Sequence, residues 1–253
     1  MDAEKIFLDS YDASIYESLS VATDILLFSV SSKKTDNYRK TDEKTFSVLL
    51  VKRDDFPFKG RWALPGGFVK KDENLEDTVK NILKKKTNLT DIYTEQLYTF
   101  GNISRDPRTR VISVAYMALV DRNKLTKNIS DNTKWFDISF KEDKIILNCA
   151  EENLSIKATS LAFDHSDIIK MGIERLRNKI FYSDIAFQLM PEYFSLPELQ
   201  MVYEAILDKS LLPAAFRRTM ASKIEKTDKM ITGRGHRPSV LYRRKKKEDE
   251  IEK

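Results

Sequence analysis

Residues Gly60 to Leu89 read GRWALPGGFVKKDENLEDTVKNILKKKTNL, two halves of different character. The first is rich in Gly and Pro, which interrupt regular structure and permit tight backbone geometry. In the second, Leu75, Val79, Ile82 and Leu83 fall at i, i+4, i+7 and i+8, the apolar stripe of an amphipathic helix that Asn88 is placed to end. Ile82, Lys85 and Lys86 stand at i, i+3 and i+4 and so share a helical face. Before this unit come two β-rich runs, VATDILLFSV from Val21 and TFSVLLVKRD from Thr45, separated by a polar loop over 31–44. After it come EQLYTFGNI and RVISVAYMALV. Strands on both sides of a loop-rich stretch and a helix predict an α+β sandwich.

The chain has 253 residues, enough for two domains of ordinary size, and 41% of them are hydrophobic, enough for a substantial core. A single cysteine, Cys149, excludes an internal disulfide framework and lacks the partner that would make it a nucleophile. No paired Cys/His spacing suggests a structural zinc site, so no metal and no cofactor are expected. The N-terminus is acidic without an apolar signal core, and VATDILLFSV is too short to span a bilayer. A cytoplasmic protein with no membrane contact is the expectation.

The net charge is only +5, but 12 Lys and Arg stand against Glu225 and Asp228 between Ser210 and Lys247, a local excess of ten. The rest of the chain is therefore acidic by about five charges. The basic segment follows a recognisable order of elements. Ser195 and Glu198 form the S-x-x-E box that opens a helix, a second helix starts near Pro213, and IEKTDKMI and SVLYRR read as strands joined by TGRGHRP. Helix, turn, helix and basic ribbon is the layout of a winged helix-turn-helix; an unrelated small α+β cap is the alternative. Between the two parts, LAFDHSDIIKMGIERLRNKI is helical with Ile169, Ile173, Leu176 and Ile180 on one face, and 137–160 reads as an irregular insertion holding a short surface hairpin. The expected organisation is a sensor domain over 1–160, a linker helix over 161–184, a DNA-binding domain over 185–244 and a disordered charged tail over 245–253.

The Gly60–Leu89 segment resembles the Nudix box, G-x5-E-x7-R-E-U-x-E-E-x-G-U with U aliphatic. Aligned from Gly67, the chain keeps Glu73, Leu83 and Leu89 but has Asn81, Ile82, Lys85, Lys86 and Asn88 where that pattern carries Arg, Glu, Glu, Glu and Gly. Carboxylates at 82, 85 and 86 would gather Mg²⁺ ions around a diphosphate and activate water. Two ammonium groups repel such ions, so no catalytic residue is assigned. RDPRTRVISVAYMALV, LAFDHSDII and FQLMPEYFSLPELQMVYEAIL with FRRTMASKIEKTDK resemble the Nudix-related transcriptional regulators of the NrtR and AraR-like type, from about Val21 to Arg244.

That resemblance implies a Nudix-like α/β/α sandwich followed by a winged helix, a homodimer, a small-molecule effector of nucleotide or sugar type such as ADP-ribose or a pentose, and a double-stranded DNA operator. Effector positions matching its cleft are Arg53, Trp62, Pro65, Gly66, Gly67, Arg105, Arg108 and Arg110, to which Lys85 and Lys86 are added as direct phosphate ligands replacing the metal. Trp62 reads equally as core, the glycines as turn geometry, and the two lysines as solvated side chains. For DNA, Arg217 and Arg218 fall early on the second helix, Arg234 and Arg237 at the ribbon tip, and Lys223, Lys226, Arg243, Arg244 and Lys245 would supply phosphate charge. His165 reads as local capping structure and His236 at best as an auxiliary DNA contact. The rival functions are a Nudix hydrolase of ADP-ribose-like diphosphates and a binding module whose basic end touches RNA. The missing acids argue against the first and the scarcity of aromatic platforms against the second.

Overall fold

The computed structural model describes residues 2–33, 43–125, 130–231 and 239–246. A helix, α1 (Ala3–Ser10), precedes β1 (Ser20–Lys33) and β2 (Glu43–Lys52); then follow β3 (Trp62–Ala63), β4 (Gly66–Phe68), α2 (Leu75–Thr87), β5 (Tyr93–Phe100) and β6 (Val111–Asp121). β7 (Thr133–Lys141), β8 (Lys144–Cys149) and β9 (Leu154–Lys157) lead to α3 (His165–Lys179), α4 (Leu196–Leu207), α5 (Pro213–Met220), β10 (Ile224–Ile231) and β11 (Ser239–Arg244). The main sheet runs β5-β6-β1-β2-β7-β8-β9, with β3 on β2 and β4 on β1. β1 and β6 are parallel and the other pairs antiparallel.

The run DILLF in β1 is apolar without alternation because both faces of the sheet are covered. Ile25 and Leu27 point to the side of α2, where they meet Val79 and Leu83, while Leu26 and Phe28 point to the side of α3 and α4. Strand geometry alone imposes that division, since successive side chains leave opposite faces. α2 ends where Asn88 takes a left-handed conformation with φ of 59°.

Segment 137–160, read as an irregular insertion, is regular. β7, β8 and β9 form a meander in which Ile138, Phe140, Ile145, Leu147, Leu154 and Ile156 join the larger core. Its two turns are carried by Glu142, Asp143 and Asn153, all with positive φ and none of them glycine, which hid the turns from a reading based on Gly and Pro. The 161–184 segment does more than link. α3 lies on the sheet so closely that a Cβ on Gly172 would stand 2.0 Å from Leu26 Cδ2, so any larger residue there would force the Leu26 side chain to move.

α4 begins on the Ser195–Glu198 capping box and α5 on Pro213, and β10 and β11 pair antiparallel, with Phe194 exchanging two backbone hydrogen bonds with Tyr242. This winged helix is not a separate bead. Leu199, Val202, Tyr203, Ile206, Phe216 and Met220 belong to the same continuous core as Phe28, Val48 and Leu50 of the sheet. The C-terminal end of α3 is bonded to it: Arg177 Nε donates to the Ile206 carbonyl at 2.8 Å, and the buried Tyr203 hydroxyl donates to the Ile180 carbonyl at 3.2 Å. Lys223 Nζ donates to the carbonyls of Phe181 and Ser183 at 2.9 and 2.7 Å.

Candidate functional site

Asp24 interrupts the apolar run of β1 and is buried, and three neighbours converge on it. Arg105 Nη2 and Ser113 Oγ donate to Oδ2 at 2.9 and 2.6 Å, and His165 Nε2 lies 3.3 Å from Oδ1. The Leu64 amide, which can only donate, points at His165 Nδ1 at 2.8 Å. That nitrogen therefore carries no proton, and the imidazole is the Nε2–H tautomer that donates to Asp24. Burial alone would raise the Asp24 pKa; His165, Ser113 and Arg105 outweigh it and hold the carboxyl well below the usual carboxylate range. Arg105 also forks onto both Asp164 oxygens, at 2.9 and 2.8 Å. Burial pulls its guanidinium down, but the bonds to Asp164 and the charge of Asp24 carry it above its ordinary value.

This network floors a cleft of about 220 Å³ lined by Arg53, Gly66, Gly67, Phe68, Arg105, Arg108, Phe163 and His165, among others. A second cleft of about 610 Å³, lined by Phe58, Tyr98, Phe100, Asn102 and Asp167, shares Arg105 and Phe163 with it. The guanidinium of Arg53 lies 4.8 Å from the Phe163 ring, and that of Arg108 lies 5.3 Å from Phe68 and 5.9 Å from Phe163. Burial and then the charge of Arg108 lower the Arg53 pKa, whereas Arg108 forks onto both oxygens of Asp106, at 3.0 and 2.7 Å, which holds its own guanidinium above the ordinary value. Phe163 and Phe58, edge to face at 4.8 Å, have φ of 53° and 63°, a left-handed conformation that bulky residues seldom take. Such strain collects at ligand sites.

Of the other sequence-predicted positions, Gly66 faces Asp24 across β4 and β1, where a Cβ would stand 2.6 Å from Asp24 Oδ1 and 2.7 Å from the Thr23 carbonyl. Pro65 serves through its backbone, accepting from the Ile25 amide at 2.7 Å. Trp62 is core: it is 6% exposed, packs edge to face on Phe136, and does not line the cleft. Arg110 binds the Gly101 carbonyl at 2.7 Å, also away from the lining. Lys85 is exposed and Lys86 half-buried, its pKa lowered by burial and by Lys85, and neither lines either cleft.

Nudix chemistry implies a metal cluster, and the residues here do not fit one. Ile82 packs its Cδ1 toward Gly67, Glu73 is held by Asn81 Nδ2 at 2.5 Å, and no group of three His, Cys, Asp or Glu able to hold a metal exists among the described residues.

In the winged helix, Arg217 and Arg218, expected early on the second helix, stand instead in the last turn of the short α5, because the helix begins at Pro213 and ends at Met220; both are exposed, as are Lys226 and Lys245. Arg243 is exposed but paired with Glu225 at 2.5 Å, Arg244 lies 3.5 Å from Asp184, and Lys223 is occupied in holding the end of α3. Arg234, Arg237 and His236 lie outside the described residues, as do most of the 31–44 loop and residues 247–253 of the tail.

Residues 37–141 match the NUDIX domain and residues 186–244 the NrtR DNA-binding winged helix domain. The ADPR responsive transcriptional repressor NtrR of Acinetobacter baylyi is 35% identical over 247 residues, covering 95% of this chain and 88% of that protein. The chain belongs to the NrtR family of Nudix-related transcriptional regulators. Its fold agrees with the crystal structure of Shewanella oneidensis NrtR complexed with a 27mer DNA, at 34% identity and a TM-score of 0.67, covering 89% of this chain and 93% of that one. An ADP-ribose pyrophosphatase of Methanocaldococcus jannaschii is 35% identical over 129 residues, 51% of this chain and 66% of that enzyme. Within the NrtR family, then, this chain is a DNA-binding regulator built from a Nudix domain and a winged helix. No helix among its described residues is long and apolar enough to cross a membrane.

The residues missed from sequence were Asp24, Asp106, Phe163, Asp164 and His165. A carboxylate inside an apolar strand was the available signal for Asp24, because such a group is buried only when paired. Nothing local marks His165, whose amide partner is 101 residues away. It does begin α3, but it caps nothing.

Proposed function

We propose that this regulator senses an ADP-ribose-like nucleotide in the Arg53–Arg108–Phe163 cleft, binds a duplex operator as a cytoplasmic homodimer, and acts as a repressor. The observation that carries the reading is the position of α3. Its N-terminus, Asp164 and His165, belongs to the floor of the cleft, and its C-terminus is bonded to α4 and to the Lys223 end of β10. A ligand that draws Arg105 or shifts Phe163 acts on the start of a helix whose end carries the DNA-binding domain. Arginine forks suit phosphate oxygens, and the aromatic rings suit a base or ribose face. The relative named ADPR responsive supports the nucleotide.

Calorimetric titration of ADP-ribose into the protein in EDTA tests this. Binding should need no divalent cation, and Arg53→Ala and Arg108→Ala should each weaken it at least ten-fold, about 1.4 kcal/mol. Lys85→Ala with Lys86→Ala should change it less than about two-fold, since neither lines the cleft. Saturating ADP-ribose should lower affinity for duplex DNA. Binding that required Mg²⁺, or that ignored both arginines, would remove the reading.

A further inference from the structure

Two helices of the winged helix start in opposite ways. α4 opens on a complete capping box, whereas α5 has Leu212 at its N-cap and no side-chain bond to its first amides. Leucine is among the poorest residues for that position. It is also 77% exposed, although Phe216, one turn on, is 3% exposed and packed against Tyr203. Capping and burial are both contradicted at one residue, and such local contradictions gather at functional positions.

The contradiction is held rigidly. Gln200 Nε2 donates to the Leu211 carbonyl at 3.0 Å, and the Leu211 amide donates to Glu204 Oε1 at 2.8 Å, so α4 fixes the backbone that presents Leu212. Pro213 and Ala214 beside it are exposed, and Arg217 and Arg218 are exposed one turn further along. The first turn of α5 has no acidic residue. The helix thus offers apolar groups at its start and guanidinium groups after them, with no carboxylate to accept from a cytosine amine.

In the major groove only thymine displays a methyl group, and only guanine displays two acceptors in the spacing an arginine fork matches. The start of a recognition helix is the part that reaches base edges. We propose that Leu212, with Ala214 beside it, reads thymine 5-methyl groups in the operator. The thymines lie next to the positions faced by Arg217 and Arg218. The inference rests on the DNA-binding role of the family and adds to it a residue that sets base preference through an apolar contact.

The test uses the full-length protein without effector. Duplexes enriched from a random pool are re-synthesised with each dT in turn replaced by dU, which removes the methyl group and nothing else, and affinity is read by fluorescence anisotropy. At one or two positions per half-site the replacement should weaken wild-type binding about four-fold, the effect of one buried methyl. Leu212→Ala, whose melting temperature should match the parent because the side chain is exposed, should bind the dT duplex about four-fold more weakly. It should also no longer distinguish dT from dU, with an unchanged salt dependence. Equal affinity for every dU duplex, or a Leu212→Ala protein as sensitive to dU as the parent, overturns the proposal. A pool in which nothing is enriched overturns the DNA-binding reading beneath it.

Discussion

Replacing Asp24 with Asn tests the buried network with almost no change of shape. Asp24 accepts from Arg105 and Ser113 on one oxygen and from His165 Nε2–H on the other. An amide offers one acceptor and one donor group. Turned so that its oxygen meets Arg105 and Ser113, it places its NH₂ against the Nε2–H of His165. The imidazole cannot exchange its proton to the other nitrogen, because Nδ1 already receives the Leu64 amide. The variant therefore loses a charge-assisted interaction with a buried guanidinium, worth about 1.5–3 kcal/mol, and leaves a facing pair of buried donors at about 1–3 kcal/mol. The two overlap, and roughly 3–5 kcal/mol is the expected loss, as for other broken buried pairs. In a chain of this size each kcal/mol moves Tm by about 2–4 °C, so scanning calorimetry at pH 7 should find Tm lower by roughly 10 °C. The pH dependence supplies a second reading. The Asp24 pKa is depressed in the folded state, so its contribution is present above the ordinary carboxylate pKa and is lost as pH falls toward the folded value. The gap between wild type and variant should accordingly be full at pH 7 and narrow progressively below about pH 4. A Tm change under about 3 °C at pH 7, or a gap that widens in acid, refutes the network as described.

The purified protein should not hydrolyse ADP-ribose with Mg²⁺ or Mn²⁺, because Ile82, Lys85 and Lys86 occupy the face that would hold the ions; turnover abolished by Glu73→Gln would contradict this. Gly66→Ala should destabilise by about 1–3 kcal/mol in urea unfolding, since its Cβ meets Asp24 Oδ1 and the Thr23 carbonyl. Gly67→Ala, whose Cβ finds only Ile82 Cδ1 at 3.5 Å, should cost roughly under 1 kcal/mol. Binding to duplex DNA should fall steeply with salt; Arg217→Ala with Arg218→Ala should weaken sequence preference, whereas Lys226→Ala and Lys245→Ala should weaken all duplexes alike and reduce the salt slope by about one each. Competition between an enriched and a scrambled duplex separates the two effects.

What the sequence determined by itself was everything set by short-range periodicity and local chemistry. The stripe of α2, its end at Asn88, the Ser195–Glu198 capping box and the start of α5 at Pro213 depend on residues within a turn or two of one another. The loss of carboxylates at 82, 85 and 86 is equally local, since helical spacing alone places them on one face. Tertiary structure decided what depends on partners far along the chain. Arg105 could be named from sequence as a candidate, but its role as the centre of a buried network needed Asp24, 81 residues before it, and Asp164, 59 residues after it. Trp62 could have been platform or core until Phe136 arrived beside it from β7. The exposed arginines and lysines of the winged helix look alike in sequence, and only packing separates Arg217 and Arg218 from Lys223, which is occupied in holding the end of α3. A side chain's preference is written in its own chemistry, but whether a charge meets solvent, a carboxylate or a carbonyl depends on which distant segment the fold brings against it.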